Sequence, residues 1–170
     1  LDLGALDPAF ERAFGDAAAR REWFTVMLRT AFTMTVSRRY APFHEVGADA
    51  LAAVAMRRGV DLDPDRAAEI MGGMRRLPPH PEVAGALGRI TSLGVPVAAL
   101  TNSALDAARA QLEHAGLVDR LDLVLSVESV GRFKPAPEVY HHGAQQLGVA
   151  PGAMLMVAAH DWDVVGAMDA

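Results

Sequence analysis

The segment Phe133-Lys134-Pro135-Ala136-Pro137-Glu138-Val139-Tyr140 decides how this chain of 170 residues folds. It follows a predicted strand at residues 121–126 and precedes a predicted helix that begins at Pro137. Such strand-to-helix junctions are where open α/β sheets hold their ligands. Lys134 is the only lysine in the sequence, and its compact ammonium can approach an anion as a point charge. A lysine that merely remains on the surface of an arginine-rich protein is the competing interpretation.

The pattern outward from this segment predicts an α/β fold. Three apolar stretches are predicted strands, at residues 95–100, 121–126 and 154–157. Helices are predicted between and after them, at residues 82–93, 103–116, 137–147 and from residue 162. Strands that alternate with helices are typical of a doubly wound parallel (Rossmann-like) sheet.

The first half of the chain is predicted to be helical throughout. Its helices are expected at residues 7–15, 16–36, 42–59 and 63–74. The proline-rich stretch Pro78-Pro79-His80-Pro81 is the clearest boundary in the sequence. We therefore predict an inserted helical cap subdomain at residues 5–79, which sits on the edge of an α/β core at residues 80–170.

Composition excludes several classes of protein. A hydrophobic content of 51% with 22% charged residues is typical of a soluble globular protein, and a net charge of −5 gives no reason to expect nucleic acid or an acidic membrane as a partner. The absence of cysteine removes disulfides, thiolate catalysis and cysteine-bound zinc, and is compatible with a cytoplasmic protein. No apolar run reaches the roughly 18 to 20 residues of a membrane span.

The carboxyl ends of parallel strands meet in one crevice, so the residues that follow the three predicted strands should lie together. They are Thr101-Asn102-Ser103, Lys134 and the stretch from Ala158 to Asp163. Together they offer a hydroxyl, an amide, an ammonium and a carboxylate, which suits an anionic substrate and a negatively charged intermediate. Taken singly, Ser103 is best explained as a helix N-cap and Asn102 as a turn residue.

These motifs resemble the haloacid dehalogenase superfamily. The order of a hydroxyl-asparagine pair, Lys-Pro-x-Pro-x-x-Tyr and Trp162-Asp163 is most similar to the type II (L-2-haloacid) dehalogenases, and Arg39-Tyr40-x-x-Phe43 and Arg76-Leu77-Pro78-Pro79 also fit. The resemblance implies a hydrolase that acts on the carbon-halide bond of small 2-haloacids. An aspartate would attack the carbon that bears the halogen, and water would then hydrolyse the aspartyl ester. It also implies a homodimer and a small-molecule carboxylate substrate.

The resemblance also implies roles for individual residues. Thr101 and Asn102 would hold the substrate carboxylate or the reacting carboxylate. Lys134 would neutralise the charge around the nucleophile, and Asp163 would hold Lys134 and help to activate water. The substrate-binding residues would be Arg29, Phe43, Tyr140, His160 and Trp162. Among these, the aromatic rings of Phe43 and Trp162 would line an apolar pocket and Tyr140 would support the site.

Two positions depart from the family pattern. The arginine that receives the departing halide is matched by Phe24 in a gapless alignment. Arg29 lies more than one helical turn away on a polar stripe, where it either binds an anion or extends to water. His160 stands where the family has an asparagine; it can still donate a hydrogen bond, although a surface histidine is the competing interpretation.

The end of the third predicted strand argues against a metal. The phosphatases of the superfamily carry an acidic Gly-Asp pair there to bind magnesium, whereas this chain has Ala158 and Ala159. We therefore predict no metal and no cofactor. The alternatives are a magnesium-dependent small-molecule phosphatase, and a non-catalytic relic that binds a carboxylate or a partner protein.

The family signature Phe-Asp-x-x-Gly-Thr-Leu-x-Asp is matched only by its last two residues, Leu1-Asp2. On this resemblance, residues 1–4 are a remnant of the first core strand loop and the nucleophile is missing from this chain. Ala170 falls inside a predicted helix, so we expect a chain that is truncated at both ends. We expect residues 1–170 alone to be inactive and poorly stable.

Overall fold

The computed structural model describes all residues from 1 to 170 and contains eight α-helices and one parallel sheet of two strands. The helices are α1 (Asp7–Phe14), α2 (Ala19–Val36), α3 (Phe43–Arg58), α4 (Pro64–Gly73), α5 (Val83–Thr91), α6 (Leu105–His114), α7 (Pro137–Leu147) and α8 (Asp161–Met168). The strands are β1 (Ala98–Thr101) and β2 (Leu123–Ser126). The predicted α/β class with a helical first half is confirmed. No helix combines the length and the apolar character that a membrane crossing requires.

Local sequence signals set the ends of the helices in the first half. α1 ends at Gly15, whose φ of 67° is a left-handed conformation that glycine adopts without strain. α4 begins after Asp63, whose side chain accepts hydrogen bonds from two backbone N–H groups of the first turn. α2 begins at Ala19, later than predicted, because Asp16 instead caps a turn by accepting a hydrogen bond from the N–H of Ala18.

The second half alternates helices and strands as predicted. β1 and β2 pair in parallel, with Thr101 opposite Ser126, and α6 connects them. α7 spans the predicted residues, because Pro137 starts it and Gly148 ends it in a left-handed conformation. The last residues of the two strands therefore lie side by side at one edge of the sheet.

The third predicted strand is wrong as a member of the sheet. Residues 154–157 pair with neither β1 nor β2, and Leu155 and Val157 are 90% and 80% exposed. Their apolar pattern predicts burial, but a strand needs a hydrogen-bonded neighbour, and β1 and β2 bond only to each other. The segment runs to α8 as an irregular connection.

The start of α6 also differs from the prediction. Its N-cap is Ala104 rather than Ser103, and alanine has no side-chain acceptor for the first N–H groups. The carboxylate of Glu128 takes this place, since its Oε2 accepts a hydrogen bond from the N–H of Leu105 at 2.8 Å. The segment after β2 thus stabilises the helix that follows β1.

One hydrophobic core of 19 buried residues joins the two halves of the chain. Most of its members come from α1 to α4, where Trp23 is fully buried and donates from Nε1 to the carbonyl of Gly47 at 2.8 Å. The core continues into the segment that runs from β2 into α7, through Val127, Phe133, Ala136 and Val139. Because that segment carries Lys134, the helical half packs directly on the chain around the lysine.

The two ends of the helical half lie next to each other. The N–H of Asp2 donates to the carbonyl of Pro78 at 2.8 Å. Close to this point, Arg75 forms an ion pair with Asp106 of α6 at 3.1 Å. The helical half is therefore held to the α/β half at a second place, which shares no residue with the Lys134 segment.

Candidate active site

Lys134 lies in a buried ion pair. Its Nζ donates a hydrogen bond to Oδ2 of Asp163 at 2.6 Å, and the two side chains are only 9% and 7% exposed. Tyr140 donates from its hydroxyl to the other carboxylate oxygen, Oδ1, at 2.8 Å. Both oxygens of Asp163 are thus satisfied, which offsets the cost of removing this pair from water.

The Tyr140 hydroxyl stays protonated in this setting. Burial is the main cause that raises the pKa of Tyr140 above its ordinary value, and the hydrogen bond and the charge of Asp163 raise it further. A phenol with a raised pKa remains a hydrogen-bond donor near neutral pH. Tyr140 therefore holds the Asp163 carboxylate in the orientation that faces Lys134.

Thr101 and Asn102 follow each other at the end of β1, and Asn102 contacts the segment that carries Lys134. Asn102 is buried, and its Oδ1 accepts a hydrogen bond from the backbone N–H of Lys134 at 3.0 Å. Thr101 is half-buried, and its Oγ1 accepts from the N–H of Ser103 at 3.1 Å. Asn102 is more than a turn residue, because it ties the end of β1 to the segment that carries the lysine.

α8 brings Asp163 to Lys134, and a glycine permits its close approach. A Cβ atom at Gly166 would lie 2.5 Å from the Cβ of Pro135 and 2.9 Å from the hydroxyl oxygen of Tyr140. Both separations are far below the 3.5 to 4.0 Å (approximately) at which non-bonded carbon atoms attract each other best. Only glycine leaves room for α8 to pack here with Asp163, one turn earlier, beside the lysine.

Four aromatic side chains connect α2 to the start of α8. The ring of His160 stacks on that of Trp162, with 5.3 Å between centroids, and lies 6.1 Å from that of Phe24. Phe32 meets Trp162 edge-on at 5.0 Å. We call Phe24, Phe32, His160 and Trp162 the aromatic bridge, and it links the helical half to the element that supplies Asp163.

The remaining predicted substrate-binding residues differ in position. Phe43 is buried, and its ring contacts that of Phe133 at 5.7 Å. Arg29 is exposed, and its side chain makes no hydrogen bond or ion pair. Arg29 does not contact the residues around Lys134, because Phe24 and Phe32, rather than the polar stripe of α2, face α8. The structure brings together the side chains of Lys134, Tyr140 and Asp163, and Asn102 bonds to the backbone of Lys134. The hydroxyl of Thr101 bonds only to the N–H of Ser103, at the end of β1.

Three further residues pack around the Lys134 segment and are not among the predicted site residues, namely Thr35, Tyr40 and Arg132. Arg132 donates to the carbonyl of Thr35, and Tyr40 packs its ring on Phe133. Burial, and then the nearby charge of Glu128, raises the pKa of Tyr40, whose hydroxyl is buried without a partner. The Arg39-Tyr40-x-x-Phe43 motif could have drawn attention to Tyr40, but no local signal marks Thr35 or Arg132.

The arrangement offers positive charge and hydrogen-bond donors to an anion. No group of three or more His, Cys, Asp or Glu side chains is arranged to hold a metal ion. The Lys134 ammonium has three N–H donors, of which Asp163 takes one. The other donors can stabilise a carboxylate or a developing negative charge beside them.

The chain is similar to known proteins over nearly its whole length. The haloacid dehalogenase-like hydrolase family matches residues 8–170. The chain is 32% identical over 165 residues to the (S)-2-haloacid dehalogenase of Pseudomonas sp. (strain YL), covering 97% of this chain and 70% of that protein. It is also 32% identical over 169 residues to the (S)-2-haloacid dehalogenase of Xanthobacter autotrophicus, covering 98% and 66%. The chain thus spans about two thirds of the length of these relatives.

Solved structures share the fold. The L-2-haloacid dehalogenase from Xanthobacter autotrophicus matches with a TM-score of 0.92 at 32% identity, over 99% of this chain and 69% of that chain. Its structure with chloropropionic acid covalently bound gives a TM-score of 0.91 at 31% identity, over the same shares. Sequence and fold lead to one conclusion: the chain belongs to the haloacid dehalogenase-like hydrolases, in the group of the L-2-haloacid dehalogenases.

Proposed function

We propose that this protein hydrolyses the carbon-halide bond of a small 2-haloacid. The observation that carries the proposal is the buried Lys134, held by Asp163 and by Asn102 at the end of the sheet. The relatives that support it are (S)-2-haloacid dehalogenases. Because the chain spans about two thirds of their length, the activity is proposed for the full-length protein.

The proposed reaction passes through an aspartyl ester. A carboxylate oxygen attacks the carbon that bears the halogen, and the halide leaves with the bonding electron pair. Water then adds to the ester carbonyl, which releases a 2-hydroxyacid and restores the carboxylate. We assign the attacking carboxylate to no residue of 1–170. The scheme uses no metal and no cofactor.

In this scheme, the buried residues around Lys134 stabilise the negative charge of the reaction. The ammonium stabilises the reacting carboxylate and the oxyanion that forms when water adds to the ester. Asp163, oriented by Tyr140, keeps the ammonium in place and helps to activate the water. Thr101 and Asn102 hold a carboxylate, of the substrate or of the enzyme, at the end of β1.

The helical half at residues 5–79 acts as a cap on the core at residues 80–170. Phe43 and Trp162 supply apolar walls to the substrate pocket. His160, in the aromatic bridge, donates a hydrogen bond to the substrate. Arg29 on α2 receives the departing halide, and its exposed side chain turns away from solvent to do so.

Halide release by the full-length protein tests the proposal. We expect chloride release from one or both enantiomers of 2-chloropropionate, and its loss in Lys134→Met, which removes the ammonium but keeps an unbranched side chain. Arg109→Met is the matched control, because Arg109 is an exposed cation on α6. Circular dichroism must show that each variant is folded, since Lys134→Met leaves Asp163 buried without its cation.

The possible results separate the candidate functions. Normal chloride release by Lys134→Met would show that the role proposed for Lys134 is wrong. If the wild type instead cleaves a chromogenic phosphate in the presence of magnesium and releases no chloride, the protein is a phosphatase. If it does neither, a non-catalytic relic that binds carboxylates is the better account.

We also propose that the protein is a cytoplasmic homodimer. The family resemblance implies the dimer, and the chain offers an apolar groove of about 430 Å³ between α3 and α4 that a second copy could cover. Nine apolar residues line this groove, among them Leu51, Met56 and Met71. Met56 is 78% exposed, so it would contribute apolar area to such an interface.

A further inference from the structure

The chain around Lys134 is attached to the helical half through the residue before it. Phe133 is fully buried, and its ring packs against those of Tyr40 at 5.0 Å and Phe43 at 5.7 Å between centroids. Its backbone carbonyl accepts a hydrogen bond from Oγ1 of Thr35 at 3.3 Å. All three partners lie where α2 passes into α3.

Arg132 makes the second part of this attachment. Its Nη2 donates to the carbonyl of Thr35 at 3.0 Å, and its Nη1 pairs with Glu138 of α7 at 3.4 Å. Thr35 lies in the last turn of α2, where the helix dipole attracts a cation. Its carbonyl accepts both from Arg132 and from the N–H of Arg38, at 3.2 Å. The Arg132 side chain is 23% exposed. It therefore connects the helical half to α7 from a largely enclosed position.

Lys134 is held differently on its other side. Its backbone N–H donates to Asn102 at the end of β1, and its Nζ donates to Asp163 of α8. The backbone around the lysine thus contacts the end of α2 on one side and the end of β1 on the other. If the contacts to α2 are lost, the backbone that carries the lysine can shift although Asn102 and Asp163 are intact.

We propose that Arg132, together with Thr35, is a positioning residue for Lys134, which couples the location of the ammonium to the docking of the helical half. This inference rests on the proposed dehalogenation, in which Lys134 stabilises the reacting charge. Because the guanidinium of Arg132 acts through Lys134 and not on the substrate, its removal should slow the chemical step and leave substrate binding unchanged. A misplacement of about 1 Å can lower a rate about 100-fold.

Steady-state kinetics of chloride release by the full-length protein test the proposal. We expect Arg132→Met and Thr35→Val to lower kcat roughly 10-fold to 100-fold, with KM within about twofold of the wild type. Arg132→Lys should recover part of kcat, since an ammonium can still donate to the carbonyl of Thr35. Arg75→Met is the matched control: it breaks the other arginine contact between the halves, with Asp106, and should keep both kcat and KM.

A second measurement needs no turnover. In full-length protein labelled with ¹⁵N-lysine, the backbone amide signal of Lys134 is identified by its loss in Lys134→Met, and it reports on the hydrogen bond to Asn102. We expect Arg132→Met and Thr35→Val to shift this signal and to speed its hydrogen exchange. Arg75→Met should leave the signal unchanged. Thr35→Val removes one hydroxyl, so it serves if Arg132→Met does not fold.

The two measurements distinguish failure of the inference from failure of the proposed function. Suppose that the wild type releases no chloride, but that the Lys134 amide signal shifts in the Arg132 and Thr35 variants and not in Arg75→Met. The positioning role of Arg132 is then supported, and the proposed dehalogenation is wrong. If the wild type is active and Arg132→Met matches Arg75→Met in kcat and in the amide signal, positioning is overturned. A rise of KM equal to the fall of kcat would also overturn it.

Discussion

Asp163 accepts hydrogen bonds from an ammonium and a phenol in the interior of the protein. Removing a carboxylate from water costs several kcal/mol, and such a group is tolerated only when good geometry and full hydrogen bonding offset that cost. Loss of a single partner is therefore more damaging than the net contribution of the pair suggests. Tyr140 is the partner that can be changed without altering the net charge at neutral pH.

Tyr140→Phe should change how stability depends on alkaline pH. Below about pH 10 the phenol is protonated in both the folded and the unfolded chain, whereas above it the unfolded phenol ionises first, because burial raises the folded pKa. The free energy of unfolding then falls with rising pH, by about 1.4 kcal/mol per pH unit for this group. The free energy of unfolding, measured by urea between about pH 9 and pH 11, should fall less steeply with pH in the variant than in the wild type.

Tyr40→Phe is the comparison for this experiment. Burial also raises the pKa of Tyr40, so this variant should remove the part of the alkaline fall in the free energy of unfolding that is due to Tyr40.

At neutral pH, Tyr140→Phe should in addition lower the free energy of unfolding by about 1.5 to 3 kcal/mol, because a hydrogen bond to a charged group is lost. Identical alkaline slopes in the wild type and Tyr140→Phe would contradict the prediction.

At the scale of whole elements, the packing of α8 depends on a residue that lacks a side chain. Gly166→Ala would place a Cβ 2.5 Å from that of Pro135. Although alanine favours a helix over glycine by about 1 kcal/mol, we expect the clash to dominate and to lower the free energy of unfolding by about 1 to 3 kcal/mol. Urea midpoints measure the change.

Gly72→Ala in α4 is the matched control for this substitution. Nothing lies within 4 Å of a Cβ at Gly72, so alanine should stabilise the protein by up to about 1 kcal/mol through helix propensity alone. The two variants should therefore shift the midpoint in opposite directions. A stabilised Gly166→Ala protein would mean that α8 can move away from α7 at no cost.

The ends of the helices show which parts of the fold the sequence predicts well. Gly15, Asp63 and Gly148 act on the chain next to them, so their effects can be predicted from neighbouring residues alone. Residues 154–157 show the opposite case. Their apolar pattern is that of a strand, but a strand also needs a hydrogen-bonded neighbouring strand. The residues of the segment do not indicate which strand that would be.

The contacts of the candidate site likewise include some that the sequence predicts and some that it does not. The convergence of strand ends predicts the nearness of Lys134 and Asp163, but residues 154–157 form no strand in the sheet. Asp163 reaches the lysine because α8 packs closely on Pro135 and Tyr140 at Gly166. The contact of Arg132 with Thr35 could not be predicted, since it joins residues 97 positions apart that belong to no motif. Arg29 lies on the predicted polar stripe of α2, but periodicity does not say whether such a stripe meets a ligand or solvent.

At the scale of the whole molecule, the groove between α3 and α4 is the surface that the proposed dimer would cover. Met56→Glu should convert the dimer to a monomer, because an unpaired carboxylate in an apolar interface costs several kcal/mol. Val36→Glu is the matched control, since Val36 is 86% exposed on α2 and lies outside the groove. Sedimentation velocity of the full-length proteins measures the change. A monomeric wild type, or dissociation by Val36→Glu alone, would contradict the use of this groove.

The burial of the sole lysine has a practical consequence. Reagents that acylate amines find one side-chain target among residues 1–170, and the folded protein shields it, since Lys134 is only 7% exposed. The acylation rate of that amine therefore reports how often the buried ion pair of Lys134 with Asp163 opens to solvent. Within residues 1–170, Lys134 is thus an internal probe of this local opening that needs no dye or tag.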